Sequence, residues 1–219
     1  MKKGLTELVF ILDRSGSMAG LETDTIGGYN SVLAQHKTAE GECRITTVLF
    51  DNLYELLHDR IDIRAINPLT AEEYQVRGST ALLDAIGQTI DKIGNAQKHT
   101  AEEYRAEKVM FVIITDGMEN ASRLYSSDQV KRMIERQKEA YGWEFIFLGA
   151  NIDAVQTAAQ FGIARDRAQT YLADAQGSRV VYDAVAQVTT AFRSAPVGAP
   201  MAANWSAKIE KDRKKRGGK

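Results

Sequence analysis

The sequence predicts an α/β fold in which helices cover both faces of a largely parallel sheet. Short apolar runs alternate with longer segments whose apolar residues recur at helical spacing, which is typical of this class. Two of the runs, 5–12 and 108–115, are apolar enough to be central strands buried on both faces. The length of 219 residues with 44% apolar residues suits one substantial core and is too short for two ordinary domains with linkers.

The first half of the chain predicts three strands and two helices. A two-residue turn separates the runs 44–50 and 53–61, and a turn this short joins only antiparallel neighbours, so the sheet is expected to be mixed. Ser79 or Thr80 is expected to cap the second helix. The predicted elements are a strand over 5–12, a helix over 21–38, strands over 44–50 and 53–61, and a helix over 81–93.

The second half continues the alternation of strand and helix. Asp116 and Gly117 end a buried strand, and Ser127 or Asp128 is expected to cap the helix that follows. The predicted elements are strands over 108–115, 144–148 and 169–172, which alternate with helices over 127–140, 153–161 and 178–192.

The C-terminal segment differs in composition from the rest. A run with two prolines and a glycine over 195–200 interrupts the helical pattern, and residues 208–219 hold seven basic and two acidic side chains, a local charge of 7 minus 2, or +5. Such a composition favours a solvated segment. We therefore expect one domain over 1–194 and a flexible basic tail over 195–219.

Composition narrows the classes of function. A formal net charge of −1 gives no bias toward nucleic acid or anionic membranes, so nucleic acid is an unlikely partner despite the basic tail. Cys43 is the only cysteine and is expected in the core. His36, His58 and His99 lack the spacing of a zinc site and are expected at the surface. The apolar runs are too short for a signal peptide or a membrane span, so we expect a cytoplasmic protein.

Three oxygen-bearing side chains follow the first predicted strand in an Asp-x-Ser-x-Ser pattern. Alternation along an extended backbone points Asp13, Ser15 and Ser17 toward one side. Thr80 precedes a helix and Asp116 ends the other buried strand, and the functional crevice of an open α/β sheet lies at the carboxyl ends of its strands. These five residues predict a site for a hard cation, Mg2+ in the first place and Mn2+ or Ca2+ as alternatives.

Each piece of this pattern also has an ordinary structural explanation. The Asp-x-Ser-x-Ser string, the Ser-Thr pair and the Asp-Gly pair are common in turns and helix caps. Asp84, one turn into a predicted helix, is explained by the helix dipole or by contact with waters on the metal. Glu119 and Asn120 follow on the same edge and are left outside the predicted site.

In their order along the chain, the motifs at 13–17, 78–80 and 115–117 resemble the metal-ion-dependent adhesion site, or MIDAS, of von Willebrand factor type A (VWA) domains. The resemblance covers about residues 5–192. It implies a doubly wound, three-layer fold with a six-stranded sheet in the order 3-2-1-4-5-6 and one antiparallel edge strand. Small, stand-alone bacterial or phage VWA proteins, similar to those encoded near tellurite-resistance genes, match the chain best in size.

The resemblance also implies a function. Ser15 and Ser17 would ligate the metal directly, Thr80 would join when ligand is bound, and Asp13 and Asp116 would act largely through water. An Asp or Glu carboxylate of a protein partner would complete the coordination, so we expect a binding module and no enzyme. The alternatives are a metal-dependent hydrolase or phosphoryl-transfer enzyme, for which the sequence offers no phosphate-binding loop, and a scaffold with a vestigial metal site.

Overall fold

A computed structural model describes residues 1–217 and contains one six-stranded sheet. The strands lie in the order β3-β2-β1-β4-β5-β6, and β3 runs antiparallel to its neighbour while the others are parallel. The predicted fold class, strand order and antiparallel edge strand are confirmed. The strands are β1 (Lys2–Asp13), β2 (Glu42–Phe50), β3 (Tyr54–Asp62), β4 (Ala106–Thr115), β5 (Glu144–Ala150) and β6 (Ala168–Tyr171).

Helices cover both faces of the sheet. One core lies between the sheet and α1, α5 and α6, and the other lies between the sheet and α2, α3 and α4. In the described residues, no helix is both long enough and apolar enough to cross a membrane. The helices are α1 (Glu22–Thr38), α2 (Leu82–His99), α3 (Ser127–Tyr141), α4 (Ala154–Gln160), α5 (Ala175–Ser194) and α6 (Ala207–Lys215).

The two central strands determine where the polar edge of the sheet lies. Residues 8–12 of β1 are fully buried, and their side chains alternate between the two cores. Leu12 pairs with Ile114 of β4, so Asp13 and Thr115 follow side by side. A shift of one residue would turn apolar side chains away from their core, so burial on both faces fixes this register and places the ends of β1 and β4 together.

Helix α6 occupies part of the segment that the sequence predicts as a flexible tail. Ile209 on this helix is only 2% exposed and belongs to the core beneath α1 and α5. Trp205 packs against the same core, and its Nε1 donates to the carbonyl of Asp166 at 2.7 Å. The basic composition concealed these two apolar anchors, of which Trp205 lies in the turn before α6 and Ile209 on the helix itself. The predicted tail also includes Gly218 and Lys219, which lie outside the described residues.

The helix starts differ slightly from the predictions. Ser126 caps α3 in place of Ser127 or Asp128, and its hydroxyl and the Gln129 side chain form a reciprocal capping box. Helix α2 begins after Ala81 with no side-chain cap. Thr80 is therefore free of a capping role, and its hydroxyl points elsewhere.

His36 is buried, so the expectation that it lies at the surface is wrong. Arg193 of α5 donates from Nη1 to His36 Nδ1 at 2.8 Å, which leaves the proton on Nε2. That nitrogen lies 2.7 Å from Thr189 Oγ1, whose hydroxyl donates to the Val185 carbonyl. Burial and the neighbouring Arg193 cation lower the pKa of His36 to about 4. The neutral imidazole joins the C-terminal ends of α1 and α5.

Candidate metal centre

The three hydroxyls of the predicted site meet at the carboxyl edge of the sheet. The Oγ atoms of Ser15 and Ser17 are 3.0 Å apart, and Thr80 Oγ1 donates to Ser15 Oγ at 2.9 Å. Ser15 and Thr80 are nearly buried, whereas Ser17 is exposed. Three hydroxyl oxygens therefore form a cluster that opens to the surface on one side.

The two predicted carboxylates lie behind the hydroxyls and differ in their hydrogen bonds. Asp13 Oδ1 accepts from the Ser15 amide at 2.6 Å, and Oδ2 accepts from Thr115 Oγ1 at 2.5 Å. Asp116 Oδ2 accepts from the Asn151 amide at 3.1 Å, but the buried Oδ1 accepts no hydrogen bond within the described residues. Burial raises the pKa of Asp13 and of Asp116 above the ordinary value of an aspartate, because removal from water disfavours the charged form.

Gly117 keeps the space beside the hydroxyls open. A Cβ atom at this position would lie 2.7 Å from Thr80 Oγ1 and 2.9 Å from Ser17 Oγ, closer than real Cβ contacts. The absent side chain leaves a small space bounded by hydroxyl oxygens, with the unpaired Asp116 oxygen in the adjacent residue. An ion that prefers oxygen ligands and retains several waters suits this set of donors.

The centre depends on hydroxyls more than on charged ligands. Among the described residues, no three His, Cys, Asp or Glu side chains converge as a metal site. The five predicted residues instead supply three neutral oxygens and two carboxylates, and both oxygens of one carboxylate, Asp13, accept a hydrogen bond from the chain. The structure thus brings all five together, and their binding of a metal stays a prediction.

Gly78 shapes the loop that faces the serines. Its φ of +68° lies in the left-handed region that favours glycine, and an added Cβ would lie 2.1 Å from Asn52 Oδ1. The Gly78 carbonyl accepts from the Gly16 amide at 3.1 Å. The segment before Thr80 therefore packs directly on the serine loop, and this contact brings Thr80 beside Ser15.

Arg14 lies between the metal-binding positions and points away from them into the protein. Its side chain is 2% exposed, and its guanidinium lies 3.3 Å from Asp51 and 2.7 Å from Glu55. Arg77 pairs with the same buried Asp51 at 2.7 Å, and its amide donates to the Arg14 carbonyl. The hydroxyl of Tyr74 donates to the carbonyl of Asp13. Sequence reasoning missed these supports because their partners are distant along the chain.

Asp84 has a role that neither sequence explanation anticipated. Its carboxylate accepts hydrogen bonds from three successive backbone amides of the loop after β4, at 2.8 to 3.0 Å. Glu119 of that loop accepts from the Leu83 amide at 2.9 Å, and Asn120 Oδ1 accepts from the Thr80 amide at 3.0 Å. These exchanges fix the loop to the start of α2 and hold Thr80 in place.

Comparison with solved structures shows which known fold this architecture matches. No family model and no curated protein matches the chain. A von Willebrand factor type A protein from Catenulispora acidiphila matches with a TM-score of 0.57 and 15% identity, over 84% of this chain and 42% of that one. The chain has the VWA fold. The VWF domain of the pili tip protein Mfa5 from Porphyromonas gingivalis matches with a TM-score of 0.61 and 11% identity, over 87% of this chain and 97% of that one.

Two further VWA-fold neighbours are metal-loaded structures. The manganese-loaded TRAP protein of Plasmodium vivax matches with a TM-score of 0.52 and 19% identity, over 68% of this chain and 58% of that one. Proximal thread matrix protein 1 from the mussel byssus, with zinc in its MIDAS motif, matches with a TM-score of 0.57 and 14% identity, over 84% and 46%. The chain spans about half the length of several of these solved chains. At these identities the likeness establishes the fold, and the narrower resemblance to tellurite-resistance proteins stays a prediction.

Proposed function

We propose that this chain is a metal-ion-dependent protein-binding module of the VWA fold, with Mg2+ as its ion in a reducing cytoplasm. The observation that carries the proposal is the cluster of Ser15, Ser17 and Thr80 hydroxyls beside Gly117. Ser15 and Ser17 would hold the ion directly, Thr80 would join when the partner's carboxylate is bound, and Asp13 and Asp116 would hold waters of the ion. When bound, the ion supplies an electrophilic position that an Asp or Glu side chain of a partner protein completes.

The hydrogen bonds of Asp13 support a site that needs an external carboxylate. Both of its oxygens accept from groups of the chain itself, namely the Ser15 amide and the Thr115 hydroxyl. Neutral hydroxyl oxygens would therefore be most of the protein ligands of the ion. A cation held mainly by neutral oxygens keeps a strong attraction for an anionic ligand from outside.

The surroundings of the site favour binding over catalysis. Asp13 is a poor candidate nucleophile, because hydrogen bonds hold both of its oxygens inside the chain. Two cavities, of about 390 and 800 Å3, lie elsewhere, one between α2 and α3 and one between α1 and α5. Enclosure of a small substrate is typical of an enzyme site, whereas this cluster opens at an edge of the sheet where a protein surface can reach it.

Metal-dependent stabilisation tests the site itself. Thermal unfolding of the wild type, Ser15→Ala and Ser79→Ala should be followed with and without Mn2+ or Mg2+. Ser79 is the matched control, because it is an exposed serine of the same loop system. We expect the metal to stabilise the wild type and Ser79→Ala by about 2.7 kcal/mol at a hundredfold excess over Kd. Ser15→Ala should respond little, since it lacks a central ligand.

The binding function needs a second experiment. Proteins captured by the immobilised chain in Mg2+ should be released by chelator and should not be captured by Ser15→Ala. Equal metal stabilisation of Ser15→Ala and the wild type would contradict the site. Capture that ignores both chelator and the substitution would contradict the function. Acetate added to a chain that does not respond to metal alone separates a site that needs a carboxylate from a vestigial one.

A further inference from the structure

Exposed apolar side chains lie in the two loops that flank the serine loop of the candidate metal centre. Met118 is 71% exposed, Leu124 is 65% exposed and Leu53 is 57% exposed. Met118 and Leu124 lie in the loop after β4, and Leu53 lies in the turn between β2 and β3. Because β2 and β4 flank β1 on opposite sides, these residues lie on both sides of the serine loop. Isolated exposed apolar residues are ordinary, but a group around a binding site indicates a contact surface.

The loop that carries Met118 and Leu124 is fixed to α2. The amides of Asn120 and Ala121 both donate to the Thr80 carbonyl, at 3.0 and 3.2 Å. The Leu124 amide donates to Asp84 at 2.8 Å. The two side chains therefore project from a backbone whose positions are set by hydrogen bonds, and little conformational entropy is lost when a partner covers them.

Leu53 is fixed in a similar way on the other side. Its amide donates to Asp51 Oδ1 at 2.6 Å, and its carbonyl accepts from the Asp51 amide at 3.1 Å. The neighbouring Asn52 side chain packs against Gly78, whose carbonyl accepts from Gly16 of the serine loop. The Leu53 turn is thus joined to the metal-binding loop through a short chain of contacts.

The charges at this edge suit an acidic partner. Asp51 is ion-paired with Arg14 and Arg77, and Asp84 is occupied by backbone amides. In contrast, the exposed side chain of Arg123 has no ion pair within residues 1–217. Arg123 therefore places a cation without an ion pair among the described residues in the same loop as Met118 and Leu124, while Asp51 and Asp84 are turned to internal partners.

We propose that the partner's metal-binding Asp or Glu is flanked by a large apolar residue that packs on Met118 and Leu124. The proposal rests on the metal-dependent function above and names the chemistry of its ligand, a protein segment with an acidic residue next to an apolar one. The metal-bound carboxylate sets the position, and the apolar neighbour covers the exposed loop. Leu53 contacts the segment on the opposite side of the acidic residue.

Selection from displayed short peptides tests this pairing. The library has a fixed central Glu and random neighbours, and the immobilised chain is held in Mn2+. We expect enrichment of Leu, Ile, Met, Phe or Trp beside the Glu. The Met118→Ser/Leu124→Ser double variant should bind the selected peptides about tenfold more weakly, because the apolar contact is lost. The Tyr141→Ser variant is the matched control, since it removes an exposed apolar side chain that precedes β5 at the other edge.

Additional measurements separate this inference from the function on which it rests. The double variant should keep the metal stabilisation of the wild type, which shows an intact centre. Selection of Glu peptides without a preference for apolar neighbours, or equal affinity of the double variant, would overturn the inference and leave the function standing. Binding that survives chelator and Glu→Gln replacement in the peptide would overturn the function as well. Failure to enrich any peptide on a metal-responsive chain would overturn the inference.

Discussion

Lowering the pH should destabilise this chain through His36. Arg193 donates to its Nδ1, so a proton on that nitrogen would break a 2.8 Å hydrogen bond and place two cations together in a buried site. The pKa of His36 is accordingly about 4, against an ordinary value of 6.5 that applies to the unfolded chain. The unfolded state therefore binds more protons between these two values, and the stability falls as the pH falls through this window.

The size of this effect follows from the two pKa values. A difference of 6.5 minus 4 corresponds to about 3.4 kcal/mol of stability that is present above the unfolded pKa and fully lost below the folded one. At a pH of about 5 the loss amounts to about 2 kcal/mol relative to neutral pH. Burial raises the pKa of Glu7 and Asp13, so these groups add stability as the pH falls, whereas Asp62 and Asp174, whose pKa is lowered, lose it. The total pH dependence of the wild type therefore does not isolate His36.

A comparison of variants isolates the histidine. In His36→Gln the amide oxygen can accept from Arg193 and the amide nitrogen can donate to Thr189, while no group titrates. Urea unfolding of both proteins at neutral pH and at a pH of about 5 should show about 2 kcal/mol less acid destabilisation in His36→Gln. His99→Gln, at an exposed position, should behave like the wild type. Equal loss of stability in the wild type and His36→Gln would refute the assignment of a neutral, buried imidazole.

Three further substitutions test the supports of the site and the C-terminal helix. Gly117→Ala places a methyl group 2.7 Å from Thr80 Oγ1, so metal stabilisation should fall steeply in thermal-shift titrations while the fold remains. An unchanged response would show that the metal does not use the space beside Gly117. Asp51→Ala leaves buried Arg14 without one of its partners and should lower the unfolding free energy in urea by about 3 kcal/mol, against under about 1 kcal/mol for the exposed Asp59→Ala. Ile209→Ala should lower the unfolding free energy by about 2–4 kcal/mol in the same assay, because Ile209 anchors α6 to the core. An unchanged unfolding free energy would support the predicted flexible tail.

The parts of the fold that the sequence predicted are those determined by local patterns. Residues 8–12 are buried on both faces, and such a strand is recognisable without its neighbours because it is continuously apolar. The convergence of the five predicted residues at one edge was also predictable, because Asp13, Ser15 and Ser17 are close in sequence, and their role as metal ligands stays a prediction. Thr80 and Asp116 lie where elements begin or end, and that placement restricts their position to one edge of the sheet.

The parts that the sequence missed depend on contacts between distant residues. His36 is buried because Arg193, 157 residues away, satisfies it, and no pattern around either residue indicates the pairing. Asp84 supports a loop that begins more than thirty residues later. Helix α6 was missed because basic residues dominate the average composition of its segment, and this average hides the buried Ile209 and the Trp205 that packs on the same core.

The spacing of the hydroxyls predicts which ion the centre prefers. Ligands at right angles on an octahedron are separated by the metal–oxygen distance multiplied by the square root of two, which is about 2.9 Å for Mg2+ and about 3.4 Å for Ca2+ at 2.4 Å. The hydroxyls of Ser15 and Ser17 lie 3.0 Å apart and those of Thr80 and Ser15 lie 2.9 Å apart. These are hydrogen-bond distances, and replacing the hydrogen bonds by Mg2+ would require little change in the spacing. Because Arg14 and Gly78 fix the two loops, spreading the hydroxyls for the larger ion would disturb the packing of both. Titration calorimetry should therefore show Mg2+ or Mn2+ binding at least about tenfold more tightly than Ca2+, and equal or tighter binding of Ca2+ would show that the loops adapt to the ion.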